Sequence, residues 1–157
     1  MIKKIINLIF ISHLLISCGF TPILKEKKDT DNPLVYYEIN PSSSYEARQL
    51  LNSSFINLEK DKAKFIVKVN IMESESAVNI ESSGSVNEYK IEVLISFKIF
   101  ETKTNSMIFE SQSRGFANYD VSNSEYTNTL IQQDALKKAL TNSIQLMNII
   151  VQSKVNK

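Results

Sequence analysis

From Lys64 to Ile71 the chain alternates. Phe65, Val67, Val69 and Ile71 are apolar, while Lys64, Lys68 and Asn70 fall between them. A period of two places one side of the segment in a core and the other in water, which predicts a half-buried strand. A longer alternation follows: Tyr89, Ile91, Val93, Ile95, Phe97 and Ile99 face Lys90, Glu92, Ser96 and Lys98, with Leu94 and Phe100 as apolar exceptions on the polar side. Thr102–Asn105 is a polar turn, and Met107, Phe109 and Phe116 belong to the next strand, so a hairpin is expected. Upstream, Val35, Tyr36, Tyr37 and Ile39 give residues 33–40 the residue types of a further strand. Residues 73–85 break the alternation with Ser and Glu around Ala77, Val78 and Ile80. They are expected to be a polar loop with solvated Glu73, Glu75 and Glu81, and the segment best suited to insert into a partner.

Two segments carry the longer period of a helix. Ser43 with Glu46 gives a capping box ahead of Ala47, Leu50, Leu51 and Phe55, predicting a helix that ends near Asn57. Ser122 with Glu125 gives a second. Leu136, Leu140, Ile144, Met147 and Val151 then form one apolar stripe, with Lys137 and Lys138 off it and Lys154 in the last turn, where it suits the helix dipole. That stripe belongs on the sheet rather than in a membrane, because the domain needs it as core. The order β-α-β-β-β-α, with the first helix crossing between parallel strands, predicts a two-layer α+β sandwich. Its four-stranded mixed sheet carries two helices on one face. The domain is expected over residues 33–152, with a tail at 153–157.

The N-terminus has a different character. Lys3 and Lys4 precede a mostly apolar run from Ile5 to Ile16, broken by Asn7, Ser12 and His13, which is too short to span a bilayer comfortably. Leu15, Ile16, Ser17, Cys18 and Gly19 close it and resemble a bacterial lipobox. The chemistry explains the types: lipid is attached to the Cys18 thiol, and a peptidase must reach the preceding bond past small side chains. Residues 1–17 are therefore expected to be a lipoprotein signal peptide, and residues 18–32 a lipidated N-terminus followed by the charged linker Lys25–Asn32. Several buried acyl chains, at about 0.8 kcal/mol per CH₂, make such an anchor effectively permanent. Gly19 in place of an Asp favours sorting to the outer membrane.

Composition narrows the function. The 157 residues carry 18 basic and 17 acidic side chains, so no basic excess is available for nucleic acid. Removal of residues 1–17 takes Lys3, Lys4 and the sole histidine, His13, and leaves acidic side chains one ahead. The sole cysteine then bears lipid. Ser–His and Cys–His catalysis and zinc sites built on Cys or His need groups that the mature chain lacks. No enzyme activity, metal or cofactor is expected.

Four local features carry a family likeness: Cys18-Gly19-Phe20 with Pro22 and Leu24, Asn87-Glu88-Tyr89-Lys90-Ile91, Ser113-Arg114-Gly115-Phe116 with Tyr119, and Asp134, Ala135 and Ala139. In this order and spacing the chain resembles the LptE family of lipopolysaccharide-assembly lipoproteins. The resemblance implies an outer-membrane, lipid-anchored, periplasm-facing protein that helps assemble and plugs the LptD β-barrel and can bind lipopolysaccharide. Some members place basic residues in the loop before the long strand. The matching stretch here, Glu81-Ser82-Ser83-Gly84, has none, so the candidate partner or lipopolysaccharide contacts are Arg114, Lys90 and Lys98. Tyr36, Tyr37, Tyr119 and Tyr126 are candidate interface anchors or half-buried packing residues. The competing reading is an auxiliary lipoprotein of an intermembrane phospholipid-transport system, which would keep an apolar groove for acyl chains.

Overall fold

A computed structural model describes residues 35–55 and 59–156. The expected signal peptide, the lipobox residues Leu15, Ile16, Ser17, Cys18 and Gly19, and the charged linker lie outside the described residues. Within them the elements are β1 (Val35–Ile39), α1 (Tyr45–Ser54), a 3₁₀ turn at Lys60–Lys62, β2 (Phe65–Ile80), β3 (Val86–Glu101), β4 (Ser106–Asp120) and α2 (Glu125–Val155). The sheet order is β1-β2-β3-β4. β1 runs parallel to β2, with Val35 opposite Phe65 and Ile39 opposite Val69, and the other pairings are antiparallel. This is the mixed sheet and two-layer architecture expected from the alternation.

The core lies between the sheet and the helices. Val67, Val69 and Ile71 of β2 and every odd position from Ile91 to Ile99 of β3 are buried on one face. Ala47 and Leu51 of α1 meet that face over β1 and β2. Ala135, Ala139, Leu140, Ile144, Met147 and Val151 of α2 meet it over β3 and β4. Leu136, the first residue of the expected stripe, is half-buried. Both helices start at the Glu73–Glu75 end of the sheet. They converge at the other end, where Tyr37 stacks on Phe55 with ring centroids 4.0 Å apart and its hydroxyl approaches Asn148.

Three expectations shift. Residues Glu73–Ile80 are strand, not loop: β2 continues through them, paired with β3 from Glu73↔Val93 to Ile80↔Val86, and only residues 81–85 connect. Backbone pairing holds this segment although neither side of it is buried. In the tight connection Gly84 has φ +87, a conformation that a side chain disfavours. The helix caps sit one and two residues later than the capping boxes suggested. Ser44 Oγ, not Ser43, accepts from the Ala47 amide at 3.1 Å, and Ser124, not Ser122, accepts from the Thr127 amide. Finally, α2 continues to a buried Val155, so most of the expected tail is the last helical turn.

Candidate functional site

Side chains alternate across a strand, so burying the odd positions of β3 leaves the even ones on a sheet face that no helix covers among the described residues. Lys90, Glu92, Leu94 and Lys98 stand there, beside Glu110, Gln112, Arg114 and Phe116 of β4. All three basic candidates thus share one face, but the structure brings only two together. Lys90 and Arg114 converge on Glu92, at 3.5 and 3.4 Å, and Lys90 also lies 4.8 Å from the centre of the Phe116 ring. Lys98, eight residues along β3 and so about 27 Å away at 3.4 Å per residue, pairs instead with Glu110 at 3.3 Å. Each cation already faces a carboxylate, so the face is hydrated and close to neutral rather than a concentrated anion site.

The opposite layer contains a feature that the sequence did not disclose. Where α1 and α2 diverge, they leave an open groove of about 910 Å³. Its floor holds Ile91 with Glu73 and Glu75, and Leu50, Leu136 and Leu140 line the helix sides. Glu46, Gln49, Gln132, Gln133 and Lys137 make its rim polar. Glu73 and Glu75, expected in a solvated loop, are strand residues with fixed partners. The Ser44 hydroxyl donates to Glu73 at 2.6 Å, while Tyr119 and Gln132 donate to Glu75 at 2.5 and 2.6 Å. Partial burial, reinforced by the Glu75 carboxylate, raises the pKa of the Tyr119 hydroxyl. Glu81, in the β2–β3 turn, is held below its ordinary value by hydrogen bonds from Asn87 and Ser83. Only the pairing of residues 73 and 75 with a strand could have disclosed the groove, and the run of serines masks that signal.

The tyrosines separate into different roles. Tyr37 is half-buried against Phe55, Tyr119 stacks on Tyr89, and Tyr36 has Lys60 over its ring. Tyr126 projects freely from the first turn of α2. Among the described residues no helix is long and apolar enough to cross a membrane, and no cluster of three Asp, Glu, His or Cys is arranged to hold a metal.

No family model matches the chain, and no curated relative matches it. Its fold is nevertheless similar to those of solved bacterial lipoproteins. An uncharacterized lipoprotein B from Nitrosomonas europaea superposes with TM-score 0.60 at 13% identity, covering 77% of this chain and 84% of that one. The rare lipoprotein B from Shewanella oneidensis gives 0.54 at 11% identity, over 76% and 91% of the two chains. A minor lipoprotein from Acinetobacter baumannii gives 0.51 at 16% identity, over 77% and 89%. At these identities the likeness is one of fold.

Proposed function

We propose that the chain is a lipoprotein anchored through Cys18 in the outer membrane and facing the periplasm, where it helps assemble and plugs an LptD-like β-barrel for lipopolysaccharide insertion. The observation that carries this reading is the sheet face that no helix covers among the described residues, with its Lys90–Glu92–Arg114 and Lys98–Glu110 pairs exposed to solvent. The interior of a large membrane barrel is polar and wet, so a plug needs a hydrated, internally neutralised surface rather than an apolar one. The fold shared with rare lipoprotein B and the lipobox-like N-terminus point the same way. The role is structural, with no catalytic step. Lipopolysaccharide contact is weak, because Lys90, Lys98 and Arg114 each already face a carboxylate.

A phospholipid-transport accessory would instead keep an enclosed apolar groove. The one between α1 and α2 is open and rimmed by carboxylates and amides, which repel acyl chains. The test is a pull-down of the C-terminally tagged chain from gently solubilised envelope membranes. A stoichiometric, heat-modifiable β-barrel is the expected partner. Recovery of inner-membrane ABC or lipid-shuttle subunits in its place would overturn the reading.

A further inference from the structure

β4 is the last strand of the sheet, and no described segment pairs with its outer edge from Ser106 to Asp120. A free edge of this length is a template for another strand, and proteins usually blunt it with charge or a bulge. Here a bulge does end the regular part: Ile108 has no partner on β3, between the pairs Ile99↔Phe109 and Phe100↔Met107. Of the three charges on the regular part, Asp120 stands at its far end, while Glu110 and Arg114 are of opposite sign and equally spaced about one residue. Glu110 lies two positions before Gln112, and Arg114 two positions after it. Both stand on the uncovered face, with 54% and 59% of their side-chain surface exposed.

We propose that two copies of the chain pair antiparallel through β4, about a two-fold axis at Gln112, joining two four-stranded sheets into one of eight strands. In that register Gln112 faces its mate, Ser111 faces Ser113, and Glu110 of each copy lies directly opposite Arg114 of the other. The contact is isologous, so it closes at two copies. Opposite charges directly across an antiparallel pair stabilise it, whereas like charges there oppose it. The charges that would repel a random strand therefore select this one.

The apolar surface fits the same arrangement. Phe116 is 54% exposed and Ile108 45%, and they flank the paired segment. On α2, Leu146 is exposed. It is nine residues, or two and a half turns, from the groove-lining Lys137. It therefore lies on the side of α2 away from α1, towards the free edge, where a two-fold mate of α2 would cover it. The dimer is a state of the chain outside any barrel, and it does not depend on the barrel reading.

The test uses the full chain in its envelope. Directly opposed residues in an antiparallel pair have Cα atoms about 4.5–5.5 Å apart, within disulfide range. Gln112→Cys is therefore expected to give a disulfide-linked species of twice the mass on mild oxidation. Glu110→Arg or Arg114→Glu, added separately, places like charges opposite each other twice and is expected to reduce that species at least tenfold. Co-expression of the two charge variants with different tags restores complementarity at both pairs and is expected to restore the species as a mixed dimer. Thermal melting of each variant establishes that it remains folded. The proposal is overturned by a monomer throughout, by linkage to a larger protein instead, by charge variants that link as well as the parent, or by failure of the mixture to recover. A doubled band without Gln112→Cys, formed through Cys18 alone, overturns it too.

Discussion

Gly115 of β4 lies directly beneath Ala139 of α2. A Cβ on Gly115 would run into the Ala139 carbonyl oxygen and stand 2.7 Å from the Ser143 amide nitrogen. Both obstacles are helix backbone, which cannot turn aside as a side chain can. The missing side chain therefore sets how closely the long helix approaches the sheet, and through it the depth of the core under Ala139, Leu140 and Ser143.

Gly115→Ala is accordingly expected to lower unfolding free energy by about 3 kcal/mol, the upper end for overpacking, because relief requires lifting α2 as a unit. Equilibrium urea denaturation checks it. A loss below about 1 kcal/mol would mean that the helix gives way easily and that the close approach is not structural.

One turn along the same contact, Ser113 and Ser143 face each other at 3.2 Å, both buried. Each hydroxyl satisfies the other. Ser113→Ala or Ser143→Ala alone strands one buried polar group and should cost about 1–3 kcal/mol, while the double variant removes both and should cost less than the sum. A double-mutant cycle reads the difference directly. Strict additivity would show that the two hydroxyls are not coupled.

Most of this fold was legible because burial on one side writes a period into the sequence. Ile91 to Ile99 and Leu140 to Val151 are buried at the spacing that the pattern gives. The signal vanished at Glu73–Ile80, where both sides of the strand meet water and only pairing with β3 imposes the extended form. The caps sit later than the capping boxes suggest for a related reason. Serine-rich stretches offer several hydroxyls in succession, and which one reaches an amide depends on where the chain turns. Gly115 gave no warning, since a glycine needed for close approach looks like any other. Alternation puts Lys90 and Lys98 on one face of the long strand, but the place of Arg114 on that face, and the separation of Lys98 from the Lys90–Arg114 pair, follow from strand register.

The tip of the β2–β3 hairpin beyond the Ala77↔Tyr89 pair is therefore expected to be energetically separable from the core. Val78→Asp and Ile80→Asp alter residues 50% and 60% exposed and should change stability by less than about 0.5 kcal/mol. Ile95→Ala, fully buried, should cost about 2–5 kcal/mol. Thermal melts of the three variants side by side provide the comparison. Large losses from the hairpin variants would indicate that its apolar side chains pack within the isolated protein.

Tyr37 and Tyr119 both have hydroxyls raised above the ordinary value of 10.0. Burial is the cause for Tyr37. For Tyr119, burial comes first and the Glu75 carboxylate adds to it. The folded state thus holds these protons more tightly than the unfolded chain. Their contribution is complete below about pH 10 and declines as pH rises above it. Unfolding free energy measured between pH 8 and pH 11 should hold steady and then fall, less steeply in Tyr37→Phe. An equally steep fall in that variant would assign the loss to other groups.

Among the described residues Glu92 alone opposes both Lys90 and Arg114 on the open face. Its side chain is 30% exposed and its ion pairs are wet, so Glu92→Gln should alter stability by less than about 0.5 kcal/mol. Its effect on binding should be larger. The substitution leaves two neighbouring cations without their carboxylate, beside the exposed Phe116 ring, which turns a neutralised patch into one suited to a phosphorylated glycolipid. Binding of fluorescent lipopolysaccharide to the purified chain should therefore tighten several-fold in Glu92→Gln. The gain should disappear at high salt, as screening of exposed charges requires. Arg114→Ala added to Glu92→Gln should remove most of it. If Glu92→Gln binds no more tightly at low salt, the carboxylate is not what keeps the glycolipid contact weak.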